Sequence, residues 1–183
     1  MIPMRAAPLS LAVVAVLSLA ACGKQGSVEA ENESVESVAK KVGEAEIRLL
    51  PGRWQSTMTL ESMELPNMPP EARKAMDAQK GTSSTFSTCL TPEEAAAPKA
   101  GFFQKGAEGC TYDHFTMAGG KVAAEMSCKA GSGPSKMKMQ GTYAPDRYSM
   151  AIRSEGEIQP GQPMNVAMTI VSQRTGDCDG KES

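Results

Sequence analysis

The sequence predicts a mainly β fold: a curved antiparallel sheet or open half-barrel meander with one or two short helices. Three observations predict it. Between residues 110 and 173, apolar and polar side chains alternate in successive runs, the pattern of strands with one face buried and one face wet. Turn-forming pairs separate these runs, at Gly119-Gly120, Pro145-Asp146 and Pro160-Gly161. Helical punctuation is confined to short stretches between residues 70 and 97.

The chain opens with Arg5, then an apolar run over residues 9–17 and a small-residue stretch. That order is a secretory signal, and the run is too short for a span that needs about 20 apolar residues. Leu19-Ala20-Ala21-Cys22 resembles the lipobox of bacterial lipoproteins. The resemblance implies cleavage before Cys22 and lipid on its thiol, so residues 1–21 are expected to leave as a lipoprotein signal peptide. Several acyl chains anchor more firmly than one, at roughly 0.8 kcal/mol per buried methylene. Gly23, rather than an aspartate, follows the cysteine. In Gram-negative lipoproteins that resembles the pattern sent to the outer membrane, so the expected location is the outer membrane, facing the periplasm. Residues 22–46 hold six acids, three lysines and no aromatic. Such a composition predicts a lipidated, flexible tether, although Val35, Val38 and Val42 fall at helical spacing.

A single β-rich domain is expected over residues 47–183. Residues 53–62 alternate, with Trp54, Met58 and Leu60 on one face. Prolines at 66–70 break the strand, and a helix with Pro70 in its first turn runs toward Gly81. Residues 83–90 read as a second strand. Thr91 and Glu94 then form a capping box that opens a very short helix through residue 97. Residues 101–109 read as a loop. The meander follows, with Val122, Ala124, Met126 and Cys128 inward, then Met137, Met139 and Tyr143, then Tyr148, Met150 and Ile152, then Met164, Val166, Met168 and Ile170.

Composition narrows the partners. The chain of 183 residues carries 19 basic and 21 acidic side chains. Loss of Arg5 with the signal leaves 18 against 21, a formal −3, and no field that would gather nucleic acid. Of the 5 cysteines, Cys22 is the lipid site. Cys89, Cys110, Cys128 and Cys178 remain, an even number in an exported chain, which predicts two disulfides. Zinc is disfavoured by the absence of any C-x-x-C pair. Proximity along the chain favours Cys89–Cys110 and Cys128–Cys178.

Pro51-Gly52-Arg53-Trp54, the Met- and Pro-rich residues 63–70, Cys89-Leu90-Thr91-Pro92-Glu93-Glu94-Ala95 and the closing Gly176-Asp177-Cys178 together resemble the domain-of-unknown-function 3617 family. The resemblance runs from residue 50 to residue 178. Arg53 departs from it, because an apolar residue is more usual there. It implies a small exported bacterial protein and supports the disulfides, and it brings no activity and no catalytic residue.

No catalytic residue, cofactor or metal site is predicted. His114 is the lone histidine, which excludes multi-histidine sites such as H-E-x-x-H. Adjacent strand positions would point Asp113 and His114 to opposite faces. Glu93 and Glu94 are explained by the helix start, where acids are favoured. Lys136, Lys138 and Arg147 read as a solvated basic stripe, with lipid headgroups as the alternative contact. Methionine is abundant, at 13, where aromatics are only 4% of the chain. Met58, Met126, Met137, Met139, Met150, Met164 and Met168 all fall on the inferred apolar face. Thioether chains are flexible and polarizable and suit an adaptable surface. Met126, Met137, Met139, Met150 and Met168 are therefore the candidate ligand face. The expected function is that of a non-enzymatic, membrane-anchored binding module for an apolar ligand or an envelope protein. A structural scaffold with a closed Met-rich core is the alternative, and a soft-metal site for copper is a further one.

Overall fold

A computed structural model describes residues 26–96, 109–129 and 133–182. Within these described residues eleven elements follow one another: β1 (Val28–Ser34), α1 (Val35–Glu44), β2 (Gly52–Glu64), α2 (Pro70–Asp77), β3 (Ser83–Leu90), α3 (Pro92–Ala96), β4 (Cys110–Ala118), β5 (Lys121–Cys128), β6 (Ser135–Ala144), β7 (Arg147–Gln159) and β8 (Gln162–Gly176). The eight strands form one open antiparallel sheet in the order β1-β4-β5-β6-β7-β8-β2-β3. Its centre is the expected meander, β4 to β8. The N-terminal strands flank the meander, β1 beside β4 and the β2–β3 pair beside β8.

The turns form for local reasons. Gly119 and Gly120 both have positive φ, at 56° and 75°, as the tight β4–β5 hairpin requires of its two central residues. Thr91 and Glu94 make the expected reciprocal cap: the Thr91 N–H donates to Glu94 Oε2 at 3.0 Å and the Glu94 N–H to Thr91 Oγ1 at 3.2 Å.

Three sequence-based expectations need correction. The first concerns residues 22–46, of which the described part is no tether. β1 places Val28 and Ala30 inward and Glu29 and Glu31 outward. Ser34 caps α1 by accepting from the Ser37 N–H at 3.1 Å, and Glu33 accepts from the Lys41 ammonium and, at 2.6 Å, from the Ser37 hydroxyl. These two bonds, the lysine first, lower the Glu33 carboxyl below its ordinary pKa. Val35, Val38, Ala39 and Val42 are buried on the inner side of α1. The segment is poor in apolar residues overall, yet nearly all of them point one way, so the folded unit starts at β1 rather than at residue 47.

The second correction is the cysteine pairing. The bridges are Cys89–Cys178 and Cys110–Cys128, with Cα–Cα distances of 5.5 and 4.0 Å. Cys110 and Cys128 are register partners on β4 and β5. Cys89 lies on the edge strand β3, far across the sheet from β4, so sequence proximity to Cys110 does not become contact. The third correction is at Asp113. A β-bulge between Tyr112 and His114 puts an extra residue on the outer side. Tyr112 and Phe115 are both buried, and Asp113 and His114 are both exposed.

The core lies on one side of the sheet only. α1 packs on β1 and β4. There Val35, Val38 and Val42 meet Tyr112, Phe115 and Met126, with the Tyr112 and Phe115 rings edge to face at 5.2 Å. The crossover 45–51 then carries the chain over the end of the sheet to β2. It is held by Leu50 N–H to the Pro145 carbonyl at 2.7 Å, Trp54 Nε1–H to the Leu50 carbonyl at 3.0 Å, and Arg174 Nε–H to the Pro51 carbonyl at 2.6 Å.

A half-covered apolar face

Register partners define two rows that cross the sheet on its inner side. One runs Ala30, Phe115, Ala124, Met139, Ile152, Met168, Leu60. The other runs Val28, Met117, Val122, Gly141, Met150, Ile170, Met58. In both rows the residues on β1, β4 and β5 are buried, and those on β6, β7, β8 and β2 are only half-buried. Along these two rows burial ends where α1 ends; nearer the crossover, Trp54, Ser56 and Ser172 on β2 and β8 are buried. Among the described residues, α1 covers the β1–β4–β5 half of the face, while beside the β7–β8–β2 half α2 touches β2 with none of its own residues buried. Phe86, on the neighbouring strand β3, is 39% exposed.

The methionines divide along the same line. Met126, 4% exposed, belongs to the closed core. Met137, Met139 and Met150 pack at its margin. Met58, Met164 and Met168 lie half-buried on the open half. The candidate face therefore contains a closed part and an accessible part, and Met126 belongs to the first.

The remaining candidates are surface groups. The His114 side chain is about half exposed, with Nδ1 3.8 Å from Glu31 Oε1. The Asp113 carboxylate accepts from the Ser127 hydroxyl at 2.6 Å. The basic stripe is interrupted by acids: Lys138 pairs with Glu125 at 3.2 Å, and Glu155 stands opposite Lys136. Among the described residues, no three His, Cys, Asp or Glu side chains are grouped to hold a metal ion. Cys22 lies outside the described residues, as does most of the loop expected over residues 101–109.

Sequence reasoning placed Tyr143 inward but assigned it no function. Its hydroxyl is buried and makes no hydrogen bond of good geometry with the described residues, although it lies within reach of the Gly120 backbone. Burial raises the phenol above its ordinary pKa, opposed in part by the nearby Gly120 backbone. Tyr112 is raised for the first of these reasons. A cavity of about 90 Å³ lies beside Tyr143, lined also by Glu46, Ile47, Arg48 and Pro145. It forms only because the crossover rests on the end of β6, so no local sequence signal marks it.

No curated protein and no solved structure matches the chain. The family described as "Protein of unknown function (DUF3617)" matches residues 49–178, from the crossover to the last cysteine, and the chain belongs to that family.

Proposed function

We propose that this protein is an exported lipoprotein, anchored through Cys22 to the outer membrane and facing the periplasm, and that its domain is a non-enzymatic binding module for an apolar ligand. One observation carries the binding reading. A continuous apolar face is sealed by a helix over one half and left accessible over the other. Burying a large apolar side chain contributes roughly 1.5–3 kcal/mol, so a sheet that leaves Ile152, Ile170, Met58 and Met168 half in water forgoes stability that a second helix would supply. Exposed apolar patches of on the order of 300–600 Å² on a monomer are commonly functional.

The test uses the mature chain carrying Cys22→Ser, extracted with solvent and titrated with the fluorescent apolar probe N-phenyl-1-naphthylamine. Saturable binding is expected, lost in Met168→Glu with the circular dichroism of the sheet retained. Absence of saturable binding by the folded chain refutes the reading. For the anchor, Cys22→Ala should move the protein from the membrane fraction to the soluble one, and retention in the membrane would refute that assignment.

A protein partner is favoured by a different observation. β3 is an edge strand with no charged residue between Ser83 and Leu90. Edge strands without charge or proline invite addition of a strand. The other edge, β1, is guarded by Glu29, Glu31 and Glu33 and by Asn32 at φ 54°.

A further inference from the structure

The reach of the anchor limits how the domain can stand on a membrane. Gly26 is the first described residue, and Gly23, Lys24 and Gln25 alone separate it from Cys22. Consecutive Cα atoms are about 3.8 Å apart, so Gly26 lies within ~15 Å of Cys22 whatever path the chain takes. Gly26 itself is fixed to the fold. A Cβ there would fall 2.0 Å from the Ala45 carbonyl oxygen, so this close approach to the end of α1 needs glycine. The anchor therefore leaves the domain beside the crossover 45–51. Two backbone bonds join the neighbouring turns to that exit. The Tyr143 N–H donates to the Gly120 carbonyl at 2.9 Å, and the Leu50 N–H to the Pro145 carbonyl at 2.7 Å. The β4–β5 turn, the β6–β7 turn and the crossover thus form one end of the sheet. It presents Leu50, 48% exposed, with Arg48, Lys121 and Arg147 exposed around it. Glu46 and Asp146 offset part of that charge. The other surface near the exit is the β1 edge with Glu29, Glu31 and Glu33, the wrong sign for a membrane containing anionic lipid.

We propose that this end of the sheet is a membrane-contacting surface. With Cys22 lipidated, the phospholipid bilayer that holds the anchor also receives Leu50, with Arg48, Lys121 and Arg147 among its headgroups. This rests on the anchor reading above and adds an orientation to it. Interfacial binding of this kind combines buried apolar area with attraction of basic side chains to lipid phosphates. Insertion of the half-exposed Leu50 favours the orientation about fivefold, or ~1 kcal/mol, half of what a fully buried leucine contributes. The strands then stand on the bilayer. The β7–β8 turn at Pro160-Gly161, at the other end of β7, points away from it.

Two lysines report on this. Lys121 and Lys129 lie at opposite ends of β5 and are both exposed, about 27 Å apart at roughly 3.4 Å per residue. The natively lipidated chain is reconstituted in vesicles of phosphatidylethanolamine and phosphatidylglycerol and acetylated with an N-hydroxysuccinimide ester. The Cys22→Ser chain with the same vesicles is the reference, and labelling is read by peptide mass. On vesicles the labelling of Lys121 relative to Lys129 should fall about fivefold. Equal labelling of the two, or a larger loss at Lys129, overturns the orientation. An insertion of about 20 Gly and Ser residues after Gly23 spans roughly 25 Å. It should leave the chain on the vesicles and restore the labelling of Lys121, and protection that survives the insertion overturns the short tether as its cause. A chain whose mass shows no lipid on Cys22 sinks the anchor reading and the orientation with it. A lipidated, vesicle-bound chain with equal labelling sinks the orientation alone.

Discussion

Replacing Cys89 and Cys178 together by alanine opens the longer of the two covalent loops. The half-cystines are separated by 89 positions, against 18 for Cys110 and Cys128. In the chain-entropy account, closing a loop of n residues removes about 2.1 + 1.5R ln n cal/mol/K from the unfolded chain. For a loop of about 90 residues this is roughly 15 cal/mol/K, or about 4.6 kcal/mol at 25 °C. Cys178 is exposed and Cys89 half-buried, so little packing is lost and the change reports mainly on the unfolded state. The assay is equilibrium urea unfolding of the oxidised chain. The extrapolated unfolding free energy should fall by most of that amount, and the denaturant slope should rise because the freed chain exposes more surface. A loss under about 2 kcal/mol with an unchanged slope would refute the loop argument. The pairing itself is checked by Cys110→Ala with Cys128→Ala. That variant should have no reactive thiol after denaturation, and two reactive thiols would mean that Cys89 and Cys178 are not partners.

A chain that begins at residue 47 lacks β1 and α1, and should expose Tyr112, Phe115 and Met126, bind 1-anilinonaphthalene-8-sulfonate and lose cooperative unfolding; an unchanged urea midpoint would contradict the placement of the core under α1. Alkaline pH should also destabilise the fold. The raised pKa values of Tyr112 and Tyr143 mean that the folded state holds these protons more tightly than the unfolded state. Their contribution is full below about pH 10 and is lost as pH rises through the raised folded values. Urea midpoints measured from pH 8 to pH 11 should fall at the upper end, less steeply in Tyr112→Phe, and a flat profile would contradict the shift.

The meander was legible because β5 to β8 each repeat a period of two and glycine or proline pairs separate its strands. The capping box at Thr91 was legible because both of its bonds join residues three apart. What escaped the sequence depends on contacts between distant segments. β1 and α1 have few apolar residues, and the one-sidedness of Val28, Ala30, Val35, Val38 and Val42 gains meaning only once β4 offers Phe115 and Tyr112 opposite. The disulfide pairing follows strand order, which places β3 and β4 on opposite flanks of the meander. The bulge at Asp113 shifts the alternation by one residue and brings two acid–base candidates to the same wet face. The positions named as inward share one face of the sheet by register. Which half of it is covered was invisible, because the cover comes from the segment that composition assigned to a tether.

The two halves of the sheet are stabilised by different means. On the α1 side, burial of Val38, Phe115, Tyr112 and Met126 supplies the hydrophobic term. On the other side, buried residues cluster beneath the crossover. There Trp54 stacks at 6.0 Å from Tyr148, and Ser56 and Ser172 share a buried hydrogen bond of 2.8 Å. Beyond these, the inner residues of β7, β8 and β2 remain half in water. That is also the side where Cys89–Cys178 ties the edge strand β3 to the tail that follows β8, with β2 between them. A covalent tie acts chiefly on the unfolded chain and does not need the native face to be covered. Arg53, paired with Asp179 at 2.8 Å, fastens the same tail from β2. The bridge therefore offsets the missing core on the side where the sheet stays open. A β sheet of this size could instead have been finished with a second helix. Holding it together by a disulfide keeps the apolar half both folded and reachable, as the proposed binding role requires.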